Sequence, residues 1–157
     1  MKLSVLGADF LPASSTLVEK VQNAIDRPQP GAGAGLGPYR AKVTAVAPTE
    51  LAVNVSATLL LAAGHAIGQV QEPVEQAIET YLRSVRQGWD ANVSSNNVSY
   101  AADVYVARVT AAIVGVAGVV NATNVQLNGG TADLLLTETG ETQQVPVIGT
   151  VTLNESN

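Results

Sequence analysis

The residues able to carry chemistry are few: a single histidine, His65, and three glutamates at helical spacing, Glu72, Glu75 and Glu79. With one histidine and no cysteine the chain cannot build a multi-His or thiolate zinc site, and any Ser/His/Asp arrangement has only His65 as its base. His65 sits in Ala63-Gly64-His65-Ala66, where nothing pairs it with a nucleophile, and it reads as a turn histidine. Glu79 lies four residues before Arg83, the spacing of an ordinary surface-helix ion pair, so the glutamates read as a solvated helix face. No calcium-loop spacing is visible. The Gly31-to-Gly37 run, GAGAGLG, lacks the GxGxxG spacing and follows a predicted helix instead of a strand, which makes it a connector and not a phosphate cradle. The expectation is a protein with no catalytic centre, no metal and no cofactor.

What remains is surface chemistry. Residues 87–103 are polar and Asn/Ser-rich, long enough for a functional loop, and they hold the one tryptophan. Trp89, Asp90, Asn92, Asn96, Asn97 and Tyr100 are the candidate assembly residues, with Trp89 either capping the preceding helix or anchoring an interface. A carbohydrate- or receptor-binding module would use the same loop, and loss of glycan binding in Trp89→Ala would favour it. The formal charge of −5 and the scattered basic residues argue against direct nucleic-acid binding. The sequon-like triplets at Asn54, Asn92, Asn97, Asn121 and Asn154 read as incidental, because the apolar stretch after Lys2 is interrupted by Asp9 before a signal peptide forms. The uncharged residues 109–132 are punctuated by Asn, Gly and Thr, so no membrane insertion is expected. The absence of cysteine suits a chain made and assembled in a cytoplasm.

These residues must be positioned by secondary structure that the pattern lays out. A short strand at 3–7 precedes Ser14-Ser15-Thr16, whose hydroxyls suit a helix start, and Leu17, Val18, Val21, Ala24 and Ile25 recur at helical spacing until Pro28 and Pro30. Residues 41–47 and 51–61 alternate as strands, with Pro48-Thr49-Glu50 as the expected hairpin turn. Val70, Val74, Ala77, Ile78, Tyr81, Leu82 and Val85 form one helical stripe that leaves Arg83 and Arg86 outside it. Pro73 then belongs in the first turn, where its missing N–H breaks no bond. A shorter helix at 104–114 stops at Gly115, a strand follows at 119–127, Asn128-Gly129-Gly130 turns the chain, and 131–137 returns as its partner. Residues 145–153 close the series. The order implies an α+β fold with helices packed on a mostly antiparallel sheet, and its first half is compatible with a ferredoxin-like arrangement. Two lobes, 1–90 and 98–155, are compatible with the polar loop between them.

The runs LPASSTLVEKVQNAID, AKVTAVAPTELAVNVSATL, LNGGTADL and VPVIGTVTL, in this order, resemble the carboxy-terminal region of the baseplate J-like family, including its XkdT-like members. The resemblance spans nearly the whole chain. It departs at the connector, where Tyr39 and Arg40 stand in place of smaller or apolar residues. Family members are generally longer, so the resemblance implies a carboxy-terminal module of a larger protein, with Met1 an introduced start. It also implies a structural subunit of the wedge or ring in a contractile phage or prophage tail baseplate. The implied partners are other baseplate and tail-hub proteins, with a homo-oligomeric contact within the ring compatible with that role. The implied location is the host cytoplasm during assembly, then the particle baseplate.

Overall fold

The computed structural model describes residues 1–27, 35–37, 39–88, 93–94, 97–98, 103–137, 139 and 141–156. By contact the chain divides into two compact units, Met1–Glu50 with Thr137–Val145, and Leu51–Leu136 with Pro146–Asn157. Each takes two separate segments, because residues after 136 return to strands laid down much earlier. This division differs from one drawn at the polar loop.

In the first unit, β1 (Lys2–Ser4) and β2 (Thr44–Val46) pair in parallel, with α1 (Ser15–Ile25) between them in sequence. The Ser14 hydroxyl accepts the Leu17 N–H at 3.3 Å, the expected cap on an otherwise unpaired helix donor. Gln22 then ties α1 to β2. Its Oε1 accepts the Ala45 N–H at 2.7 Å and its Nε2 donates to the Val43 carbonyl at 2.9 Å. Buried Asp26 accepts the Val43 N–H at 3.0 Å. These polar links matter because no residue of α1 is fully buried.

The second unit holds the apolar core. β3 (Thr49–Leu61) is the middle strand of a three-stranded sheet ordered β6-β3-β7, with β6 (Val119–Leu127) antiparallel to it. On the side of β7 (Gln144–Glu155), Thr150 donates to the Asn54 side chain and Ser156 to the Leu59 carbonyl. These bonds advance in the same direction along both strands, so the sheet is mixed. Alternation in β3 places Val53, Val55, Ala57 and Leu59 in the core. Against them lie Val70, Val74, Ile78 and Leu82 of α2 (Ile67–Gln87), with Val109 and Ile113 of α3 (Val106–Val114). α3 packs on both β6 and α2. The α+β class and the helix-on-sheet packing are therefore as expected.

Several expectations are corrected. β2 and β3 do not form a hairpin across Pro48-Thr49-Glu50; β2 belongs to the two-stranded sheet with β1, and β3 to the larger one. A ferredoxin-like order fails for the same reason, since it would set β1 beside β3. α2 begins at Ile67, so Pro73 lies inside the helix and not in its first turn. The helix gains that extra turn through Gln69, whose Oε1 accepts the Ala66 N–H at 3.1 Å, half of a capping box where Ala66 can offer no oxygen.

The turn after β6 forms as expected: Asn128 and Gly129 have φ of 49° and 80°, and Leu127 and Gly130 exchange backbone bonds of 2.8 and 2.9 Å. Residues 131–137 nevertheless do not continue as a strand. Leu134 instead exchanges backbone bonds with Val104, Asp133 Oδ1 accepts the Val106 N–H at the start of α3 at 2.8 Å, and Leu136 donates to Asp103 Oδ1 at 3.2 Å. Asp133 satisfies an orphan helix donor, which holds the segment at α3 and away from the β6 ladder.

Tyr81 joins α2 to the approach to α3, its hydroxyl accepting the Tyr105 N–H at 3.1 Å. Burial raises the Tyr81 hydroxyl above the ordinary tyrosine range, against a smaller opposing effect of that bond. A raised folded value favours the neutral phenol in the native state. Its contribution is present below the unfolded value near about pH 10 and is lost as pH rises through the folded value. The urea midpoint of the wild type should therefore fall more steeply than that of Tyr81→Phe at alkaline pH. Parallel slopes for the two proteins would show that Tyr81 is not responsible.

Candidate assembly surface

The polar loop that carries the candidate assembly residues is described only in part. Trp89, Asp90, Asn92, Asn96 and Tyr100 lie outside the described residues. Asn97 is in β5 (Asn97–Val98), which pairs antiparallel with β4 (Val93–Ser94), Ser94 opposite Asn97 and Val93 opposite Val98. A short two-stranded ribbon thus stands inside a stretch that reads as loop, and its backbone pairing brings Asn97 to Ser94.

His65 is exposed in the turn between β3 and α2, with its backbone N–H on the Ala62 carbonyl at 3.1 Å. The described part of the glycine run serves the C-terminal end of α1: the Leu36 and Gly37 N–H groups donate to the carbonyls of Ala24 and Ile25 at 3.0 and 2.8 Å. A Cβ on Gly35 would stand 2.4 Å from the Ile25 carbonyl oxygen, so glycine is required by close approach. Those two N–H groups are spent on the helix end.

Glu72, Glu75 and Glu79 line a shallow groove of about 490 Å³ with Gln76, Thr80 and Ile148. Their carboxylates have local partners. Glu75 accepts from Gln71 at 2.6 Å and Glu72 from Gln76 at 3.3 Å. Glu79 pairs with Arg86 and not with the expected Arg83. Among the described residues no group of three or more His, Cys, Asp or Glu side chains is placed to hold a metal ion.

Arg86 is the residue that sequence reasoning misplaced. It is 2% exposed, its Nη1 donates to the Pro146 carbonyl at 2.9 Å, and its Nη2 meets Glu79. The signal was present in the spacing, because Val70, Val74, Ile78, Leu82 and Arg86 are each four apart and all buried. An arginine at the end of that row reads as exposed by residue type, yet it follows the row into the interior, where the start of β7 supplies an acceptor.

Among the described residues no helix is long and apolar enough to cross a membrane. Comparison with known proteins supplies the remaining constraint. Residues 53–154 match the family model described as the Baseplate J-like protein C-terminal domain. The chain is 26% identical over 155 residues to the Phage-like element PBSX protein XkdT of Bacillus subtilis (strain 168), covering 99% of this chain and 40% of that protein. It is 33% identical over 104 residues to the uncharacterized protein YqbT of the same organism, covering 64% of this chain and 29% of that protein. The chain thus spans less than half the length of the curated relatives it matches. The matched segment runs from β3 through α2, α3 and β6 into β7, the elements that hold the main sheet and its helical cover, and on that ground this chain belongs to the baseplate J-like C-terminal domain family.

Proposed function

We propose that the chain is a structural module of a contractile phage or prophage tail baseplate, where it helps build the wedge or ring around the tail hub. The observation that carries this reading is the family match across residues 53–154, which takes in the packed sheet and both of its covering helices. A mixed sheet closed by two helices holds its loops and edges in fixed relation, which is what a subunit needs in order to join neighbouring chains in a ring. The role requires surfaces and not turnover, and no catalytic residue is assigned. Its partners are other baseplate and tail-hub proteins, with contacts to further copies around the ring. The segment 87–103, with Trp89, Asp90, Asn92, Asn96, Asn97 and Tyr100, is the proposed contact surface.

Mass spectrometry of purified tail-like particles from induced cells that encode the chain, combined with immunogold electron microscopy, tests the reading. Label at the tail end is the expected result. Intact contractile tails without the protein would overturn it. Replacing residues 88–102 with a short neutral linker should then block incorporation, and normal incorporation would remove that segment from the contact surface.

A further inference from the structure

The small parallel sheet of the first unit has one edge closed and, among the described residues, one edge open. Met1 donates to the Lys42 carbonyl at 2.7 Å, the Thr44 N–H to Met1 at 2.9 Å, and the Val5 N–H to Val46 at 2.8 Å. Strand geometry sends the backbone groups of successive residues to opposite sides, so Met1, Leu3 and Val5 face β2, while Lys2 and Ser4 face away from it. By the same alternation Val43 and Ala45 form the outer edge of β2. That edge is occupied: Gln22 holds the Val43 carbonyl and the Ala45 N–H, and Asp26 holds the Val43 N–H. On the outer edge of β1, among the described residues, no strand or side chain is bonded to the backbone of Lys2 or Ser4.

The side chains leave that edge accessible. Lys2 and Ser4 point to a face of the sheet where they meet the segment Thr137–Val145, the Lys2 ammonium on the Glu141 carbonyl and the Ser4 hydroxyl on Gln143 Oε1 at 2.8 Å. The lysine charge, which on a bare edge would discourage a further strand, is engaged on the face. Leu3, 36% exposed beside the open edge, would gain cover from a neighbouring strand. Parallel pairs of only two strands are rare as finished structures, because parallel sheets are ordinarily larger and buried.

We propose that the outer edge of β1 receives a β-strand from polypeptide lying upstream of this module in a longer subunit, of the length its relatives have. This rests on reading the chain as a module of such a subunit, and not on where that subunit sits in a particle. The occupant follows from the length of those relatives: 60% or more of each lies outside the matched region, and the family is a C-terminal domain, which puts additional chain upstream. A segment tethered next to β1 has a high effective concentration at that edge, well above that of a separate chain.

Amide hydrogen exchange in the longer subunit, resolved at single residues, tests the pairing. The Lys2 and Ser4 amides should exchange at least about tenfold more slowly there than in the 157-residue chain, whereas the Leu3 and Val5 amides should be protected in both. In parallel, Ser4→Pro removes an outward N–H and leaves the β1–β2 ladder intact. It should lower the urea midpoint of the longer subunit relative to Ser4→Ala, which controls for the lost hydroxyl, and leave the short chain equal to that control. Fast Lys2 and Ser4 exchange in the longer subunit would overturn the proposal. So would protection in the short chain that appears only at high concentration, because the occupant would then be a second copy. Neither readout depends on particle location, so a failed baseplate assignment and a failed strand pairing are told apart.

Discussion

Arg86→Ala is expected to lower stability by about 2–4 kcal/mol, and Arg86→Met to recover most of that loss. The guanidinium is 2% exposed, at the end of the buried row of α2, where Nη1 holds the Pro146 carbonyl and Nη2 the Glu79 carboxylate. Its Nε is buried with no hydrogen-bond partner among the described residues. The arginine therefore bears a desolvation cost that its bonds offset only in part. Truncation to alanine opens a void and strips the Pro146 carbonyl of its donor, so it incurs both a cavity cost and an unpaired acceptor. Methionine refills the volume with an unbranched chain and removes the buried charge altogether, a replacement that is often neutral or better.

Glu79 is 39% exposed and can return to water, so Glu79→Gln should cost no more than about 1 kcal/mol. Urea denaturation followed by far-UV circular dichroism measures all three. If Arg86→Ala lay within about 0.5 kcal/mol of wild type, Arg86 would be a passenger and not a tie between α2 and β7.

Leu59→Ala should be comparably severe, about 2–5 kcal/mol, while Leu60→Ala in the same strand should stay within about 0.5 kcal/mol. Leu59 is 0% exposed at the centre of the sheet and belongs to the core of α2 and α3; Leu60, on the opposite face, is 47% exposed. The pair tests the strand's facing directly, because a slip of one residue would exchange the two environments. For a chain of this size the Leu59 loss corresponds to a fall of roughly 5–20 °C in Tm. Equal effects at the two positions would refute the alternation of β3.

Local pattern was enough for most elements. The 119–127 strand has the boundaries its composition suggested, Ser14 caps α1, and Gly115 ends α3. In each case the deciding interactions lie within a few residues, so spacing and capping chemistry carry the information. Even so, the burial of β6 is not a simple alternation. Register shifts against β3, one of them next to Asn124 with φ of 52°, turn Val119, Ala122, Val125 and Leu127 all toward the core. Two bulges of this kind leave no mark on the hydrophobic pattern that could have been read beforehand.

The family, the α+β class, the helix ending at 114, the strand character of 51–61 and the strand at 119–127 were determined by sequence, because each rests on local periodicity or on an ordered set of such segments. Pairing was decided only by tertiary structure. Nothing local to 44–46 states that it joins 2–4 in parallel and not 49–61, since the deciding bonds come from Gln22 and Asp26 about twenty residues away. Nothing local to 131–137 states that Asp133 will cap α3 and hold the segment away from β6. Arg86 is buried because β7, sixty residues on, presents the Pro146 carbonyl to it. Long-range partners satisfy polar groups that sequence reading assigns to solvent, and for that reason the outer edge of β1, open among the described residues, became visible only once the bonds on the β2 side were known.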